Sequence, residues 1–174
     1  MAEMERSFVH VYTGNGKGKT TAALGLSVRA ALAGKKVFFA QFIKGMEYSE
    51  LKVSQYIKNI DIQQFGRECF IYKKPTEEDI EAAKRGMDIC EKILKGVEYD
   101  LVVLDELNIA LYYKLIPLDR VVKAIKERTP SIEVVITGRY APEEIIEMAD
   151  LVTEMKEIKH YYNQGVQARK GIEF

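Results

Sequence analysis

The stretch Ser7-Phe8-Val9-His10-Val11-Tyr12-Thr13-Gly14-Asn15-Gly16-Lys17-Gly18-Lys19-Thr20-Thr21 carries an apolar strand pattern straight into a glycine-rich turn. An Ala- and Leu-rich helical pattern, Lys19–Ala33, follows and stops at Gly34, a good helix-ending residue. Glycines at 14, 16 and 18 free the backbone to curl so that successive N–H groups point inward around an anion. The helix beginning near Lys19 aims its unpaired amides and positive dipole end at the same spot. In this pattern the lysine lies across phosphates and the next hydroxyl reaches a magnesium ion. Gly14, Asn15, Gly16, Lys17, Gly18, Lys19, Thr20 and Thr21 are therefore the expected nucleotide-binding residues. One departure is plain: G-x-x-x-x-G-K-[ST] wants glycine at 13, where this chain has Thr13, with Gly14 one place late. The alternative reading is a glycine-rich turn carrying lysines for solubility.

Working outward, strand patterns recur at Val37–Phe42, Ile60–Phe65, Leu101–Leu104 and Ile132–Thr137, with Leu151–Ile158 as a last candidate. Leu101–Leu104 and Val134–Ile136 are apolar on both faces, as strands are when helices cover a parallel sheet on each side. Between them run helical patterns: Thr76–Lys95 with Thr76 and Asp79 in capping-box spacing, a helix opened by Pro117 through Arg128, and one opened by Pro142 ending near Ala149. The alternation predicts a single α/β domain over residues 1–174, P-loop NTPase-like, with a mostly parallel sheet flanked by helices on both faces.

In such a sheet ligands bind beyond the carboxyl ends of the strands. Asp105-Glu106 follows one strand, and hard carboxylate oxygens suit Mg²⁺ beside substrate phosphates; the competing reading is a solvated helix cap. Thr20, Asp105 and Glu106 are the expected metal ligands. Arg139 follows another strand through Gly138, where a guanidinium can hold a phosphate or ribose oxygen bidentately, or sit in a surface loop. Lys19, Glu106 and Arg139 form the expected catalytic set. Lys44 either faces the crevice or is an ordinary exposed lysine, and Arg29 by position alone reads as a solvated helix residue. Phe65–Pro75 is an apolar, aromatic loop that either grips a large flat ligand or partner subunit or forms a satellite core cluster. His10 reads as a satisfied core histidine, Cys90 as packing, and His160 has no catalytic partner nearby in sequence.

Composition narrows the classes. The 174 residues are 47% hydrophobic and 30% charged, with 26 basic and 26 acidic side chains, which disfavours a nucleic-acid backbone as main partner. Two cysteines, Cys69 and Cys90, in no ligand spacing argue against a disulfide scaffold or zinc site. No run approaches a membrane span and no secretory pattern follows Met1–Arg6, so the expected location is cytoplasmic.

Taken together, Thr13–Thr21, Gln41-Phe42-Ile43-Lys44-Gly45, Val102-Val103-Leu104-Asp105-Glu106, Ile136-Thr137-Gly138-Arg139 and the ending from Lys159-His160 to Gly171-Ile172 resemble the ATP:corrinoid adenosyltransferases. The resemblance spans nearly the whole chain in order. It implies a homodimer that transfers the 5′-deoxyadenosyl group of Mg·ATP (or the Mn²⁺ form) to a cobalt(I) corrinoid and releases triphosphate, with ATP lying in the loop in a reversed sense. Matching positions put Gly14 to Thr20 on the triphosphate, Thr20 and Glu106 at the metal, Asn15 and Arg29 near the ribose, and Arg139 on a phosphate. Some members carry a long basic N-terminal helix, where this chain meets its first strand almost at once. Some carry a Phe-x-Trp pair against the corrinoid, and this sequence holds no tryptophan; Phe70 and Tyr72 occupy that region.

The chemistry agrees with the inventory. Attack of cobalt(I) on the ribose C5′ moves no proton, so cations and amides for the departing triphosphate matter more than a base. The chain has no redox centre of its own, which predicts a separate, flavin-bearing reductant protein. A P-loop kinase or ATPase, or a nucleotide-dependent corrinoid-binding module, remains the alternative.

Overall fold

A computed structural model describes residues 6–67 and 74–174. Among these, six strands form one wholly parallel sheet: β1 (Val9–Thr13), β2 (Val37–Phe42), β3 (Ile60–Phe65), β4 (Leu101–Asp105), β5 (Glu133–Thr137) and β6 (Leu151–Glu154), in the order β3-β2-β4-β5-β1-β6. The connecting helices are α1 (Lys19–Leu32), α2 (Val53–Tyr56), α3 (Glu77–Leu94), α4 (Leu107–Tyr112), α5 (Leu118–Lys126) and α6 (Glu143–Met148), with 3₁₀ turns at Ser49–Lys52 and Tyr161–Gln164.

Every residue of β2 and β4 is buried, so each pleat faces a packed layer. Phe38, Ala40, Phe42, Val102, Leu104, Val134 and Ile136 pack with α3, α4, α5 and α6; Val37, Phe39, Leu101, Val103 and Val135 pack with Ala23 and Ala31 of α1. At roughly 1.5–3 kcal/mol for each large side chain taken from water, these two layers dominate the stability of the fold. The capping box at Thr76 forms as the sequence predicts, with the Asp79 amide donating to the Thr76 hydroxyl at 3.3 Å and the Thr76 amide to the Asp79 carboxylate at 2.8 Å.

Several boundaries differ from the sequence reading by a residue or more. β1 starts at Val9 because the Phe8 amide is taken by the Glu133 side chain at 2.8 Å. β6 stops at Glu154 rather than Ile158, and Met155 turns across the glycine loop, its amide donating to the Thr13 carbonyl at 2.8 Å. Short α4 starts at Leu107, where the helix-cap reading of Asp105-Glu106 put a helix start, although six residues are too few to display a helical period. His10 is satisfied, its Nε2 lying 2.6 Å from a Glu133 oxygen, but at a partly exposed position rather than in the core. Cys90 is buried on α3, and that burial pushes its thiol up to about 12, an inert packing residue.

Because the strands are parallel, the exits of β1, β2, β4 and β5 share one edge of the sheet. That edge collects Gly14–Thr21, Ile43–Gly45, Glu106 and Arg139.

Candidate functional site

The loop after β1 enters through Gly14, at φ +92°, and reaches α1 through Gly18, at φ +122°. Gly18 is the N-cap of α1 and offers no side chain, so the first-turn amides of the helix open toward a cleft of about 960 Å³. Asn15 through Thr21 line it, together with Lys44, Glu106 and Arg139. Gly14 does not line it. Both Gly14 and Gly16 press against the segment after β6, where a Cβ on Gly16 would lie 2.7 Å from the Met155 carbonyl oxygen. That oxygen accepts the Gly16 amide at 2.6 Å, so this N–H points away from the cradle expected of it.

Lys19 is buried and its ammonium folds back to the Gly16 carbonyl at 2.7 Å. Burial lowers its pKa; nearby Glu106 works against that shift and Arg139 with it. Arg139 is exposed at the cleft wall and makes no ion pair among the described residues.

Asp105 ends β4 fully buried, and four donors converge on it. Thr20 Oγ1 at 2.8 Å and Thr137 Oγ1 at 2.7 Å donate to Oδ1, while Lys44 Nζ at 2.8 Å and Gln41 Nε2 at 3.4 Å donate to Oδ2. Asp105, expected as a metal ligand, has its acceptor directions met by the protein in this structure, and one of those bonds orients the Thr20 hydroxyl. Thr137 also accepts the Glu106 amide at 2.9 Å, fixing Glu106 in a left-handed conformation at φ 59°. The Glu106 carboxylate therefore enters the cleft, and no donor among the described residues bonds it. Burial and then the adjacent Asp105 charge raise its pKa, against the pull of Lys44, Lys19 and Arg139.

Lys44, left between two readings by the sequence, faces inward. Ile43 takes φ 63°, an unusual angle for a β-branched residue, and the turn delivers the ammonium to Asp105 and to within 3.3 Å of Thr20 Oγ1. Burial alone would lower its pKa, but Asp105, with Glu106 and Glu50, more than offsets that and raises it.

Among the described residues no cluster of three or more His, Cys, Asp or Glu forms a metal cage. Glu106 and the Thr20 hydroxyl oxygen fit a hard divalent ion that brings its other ligands as waters and substrate phosphates. Arg29 sits exposed on α1, as its position in the sequence reads, ten residues past Lys19 and so about 15 Å along the helix, and does not line the cleft. Phe70 and Tyr72 lie outside the described residues. His160 reaches the cleft wall, where its Nδ1 accepts the Tyr162 amide at 3.0 Å.

The sequence reading missed the far wall. Residues after β6 run across the cleft mouth, where Lys17 Nζ donates to the Ile172 carbonyl at 3.0 Å and Ser49 Oγ to the Phe174 carbonyl at 3.0 Å. Glu173 beside them accepts from the Tyr161 hydroxyl and from the Arg169 amide at 2.8 Å. These bonds, Tyr161 foremost, hold its carboxyl down at about 2. Tyr48, Tyr113 and Tyr140 complete the lining. Nothing in their spacing marks them, because they come together only through the fold.

The sequence model of a family described as ATP:corrinoid adenosyltransferase BtuR/CobO/CobP matches residues 5–174. A corrinoid adenosyltransferase of Escherichia coli strain K12 is 37% identical over 173 residues, 99% of this chain and 88% of the relative. One from Pseudomonas aeruginosa is 38% identical over 175 residues, 99% and 86% of the two chains. A corrinoid adenosyltransferase CobA of Salmonella typhimurium is 35% identical, covering 99% and 88%. Among solved structures, the RadB recombinase superposes with a TM-score of 0.53 at 14% identity, over 89% of this chain and 77% of that one, a likeness of fold alone.

Proposed function

The chain belongs to the ATP:corrinoid adenosyltransferases, and on that premise we propose that it moves the 5′-deoxyadenosyl group of ATP onto the cobalt(I) of a corrinoid. The observation that carries this reading is the makeup of the cleft: Lys19, Arg139, the α1 amides and one unpartnered carboxylate, Glu106, around a space of about 960 Å³. The cobalt(I) electron pair forms the bond to C5′, the C5′–O bond breaks, and its electrons leave on the triphosphate. No proton changes hands, so the chain's task is to hold polyphosphate and stabilise charge as it departs.

Each residue has a part in that task. Lys19 and the first-turn amides of α1 hold the triphosphate, and Arg139 reaches it from the opposite wall. Thr20 and Glu106 would hold Mg²⁺ or Mn²⁺, which supplies further neutralisation of the leaving group when bound. Asp105 and Thr137 keep Thr20 and Glu106 in position. Asn15 faces the ribose, and Phe70 and Tyr72 grip the corrinoid. A homodimer in the cytoplasm, served by a flavin-bearing reductant protein, completes the proposal. No helix among the described residues is long and apolar enough to cross a membrane.

The decisive experiment is anaerobic incubation with ATP, magnesium and chemically reduced corrinoid, followed by product analysis. Triphosphate together with the absorption spectrum of a cobalt–carbon bond is the expected result. ADP or phosphate in place of triphosphate would make the chain a kinase or ATPase, and binding of both ligands without turnover would make it a corrinoid-carrying module.

A further inference from the structure

In phosphate loops of this kind, a divalent ion sits against the loop hydroxyl beside the carboxylate at the end of the neighbouring strand. Here that hydroxyl is Thr20 and that carboxylate is Asp105, and an ammonium stands beside both. Lys44 Nζ is 2.8 Å from Asp105 Oδ2 and 3.3 Å from Thr20 Oγ1, with Glu50 behind it at 3.9 Å and the Tyr48 ring 5.0 Å away. We propose that Lys44 is a built-in monovalent cation of the metal position: it occupies the Thr20–Asp105 seat in the nucleotide-free protein, so that a divalent ion enters only with the polyphosphate and on the Glu106 side.

Several features make this more than a chance surface contact. The Lys44 side chain is only 14% exposed and that of Asp105 is fully buried, so the pair is screened little by solvent. The backbone accepts an unfavourable angle at Ile43 to place the lysine there. The turn is also held from the other side. Gly66, just beyond β3, packs so closely that a Cβ on it would lie 2.5 Å from the Ile43 carbonyl carbon and 2.6 Å from the Lys44 amide nitrogen. Gln41 adds a second donor to the same Asp105 oxygen, and Gln64 donates to Gln41 Oε1 at 3.2 Å, which fixes the amide's orientation. A divalent ion and this ammonium cannot share one seat, since like charges a few ångströms apart in a partly dry site repel strongly. The lysine thus makes metal binding conditional on nucleotide: polyphosphate supplies the negative charge that Asp105, already neutralised, does not.

This inference rests on the phosphate-loop reading but not on corrinoid chemistry, and its test uses no corrinoid. Mn²⁺ binding to the nucleotide-free protein is followed by the loss of the free-ion paramagnetic signal and by the shift in melting temperature. The unmodified protein is expected to bind Mn²⁺ weakly, with an affinity that Asp105→Asn leaves unchanged. Lys44→Ala bares the carboxylate and is expected to bind Mn²⁺ tighter by about ten-fold or more and to melt higher with the ion, a gain abolished in Lys44→Ala/Asp105→Asn. Should Lys44→Ala fail to fold, Lys44→Gln, which keeps a donor to Asp105 without the charge, takes its place. Tight Mn²⁺ binding by the unmodified protein that disappears in Asp105→Asn would overturn the proposal, as would a folded Lys44 variant whose Mn²⁺ affinity has not moved. Failure of adenosyl transfer with this result intact would leave Lys44's place standing and remove only the proposed reaction.

Discussion

Two carboxylates, Asp105 buried behind the cleft and Glu173 on its far wall, are held by nearly the same kit of groups, yet they belong to different physical regimes. Asp105 is met by a lysine, two hydroxyls and an amide; Glu173 is met by a lysine, a tyrosine hydroxyl, and the backbone and guanidinium of Arg169. The Asp105 side chain has no exposed surface and its Lys44 partner is 14% exposed, while Lys17 and Arg169 around Glu173 are 40% and 52% exposed. Water has been removed from the first network and still bathes the second. The difference teaches that a count of bonds says little about what they are worth. A dry charge cannot lose its partner cheaply, whereas a wet one exchanges protein for solvent with little change.

The largest expected effect follows from the dry side. Asp105→Asn keeps an acceptor for the two hydroxyls but strands the Lys44 ammonium, which should destabilise the protein by about 3–5 kcal/mol. Lys44→Met alone should be comparably harmful, because it strands the carboxylate. The double variant Lys44→Met/Asp105→Asn should recover much of the loss, a strong coupling visible in denaturant midpoints with an unchanged slope. Additive losses would mean that the pair is not a unit, and the contrast with Glu173 would dissolve.

How far this arrangement was readable beforehand depended on the range of the interaction. The two-faced apolar runs Leu101–Leu104 and Val134–Ile136 announced buried parallel strands, because burial on both sides leaves no polar alternation. Gly14 to Thr21 between strand and helix announced a turn running from β1 into α1 at the cleft, since that pattern is written in consecutive residues. Gly16's bond to Met155 was invisible, as it joins positions far apart in the chain. The inward turn of Lys44 was equally hidden, because a single residue at φ 63° decides it and Ile43 is a poor candidate by type. Asp105 was seen as a strand-end carboxylate, but the four donors that converge on it were not, because they come from elements far apart in the chain. The wall formed by residues after β6 emerged only from topology, with β6 laid beside β1 so that the following segment crosses the cleft mouth.

Between the two extremes lies Glu106, partly buried and unbonded, beside three cations and one anion. Its raised pKa says that burial and Asp105 outweigh Lys44, Lys19 and Arg139. A carboxyl raised in the folded state binds its proton more tightly there than when unfolded, so ionising it at neutral pH costs stability. That cost should fade as pH drops through the raised value toward 4.5, the ordinary carboxylate figure. Without nucleotide and with chelator present, Glu106→Gln should melt above the unmodified protein at pH 7, and the gap should close as the medium is acidified. A variant that melts lower at pH 7 would show that the three cations prevail. The site would then resemble the balanced Asp105 network rather than one waiting for a cation.

The smallest expected effect is on the wet side. Glu173→Gln removes the charge but leaves an acceptor for Tyr161 and the Arg169 amide, so global stability should change little. Lys17 Nζ, at 3.4 Å from Glu173, keeps its bond to the Ile172 carbonyl at 3.0 Å and holds the crossing segment in part. What should change is the segment's hold on the cleft mouth, read as hydrogen exchange of the amides at 169–173. In low salt these amides should exchange faster in Glu173→Gln than in the unmodified protein. Raising the ionic strength to about 1 M shortens the screening length to roughly 3 Å and should bring the two close together. The same salt series should leave the melting difference between Asp105→Asn and the unmodified protein nearly untouched, since no ions reach between Asp105 and Lys44. Equal salt sensitivity at both carboxylates would mean that water enters the Asp105 pocket, and the argument for a dry, lysine-filled cation seat would fail with it.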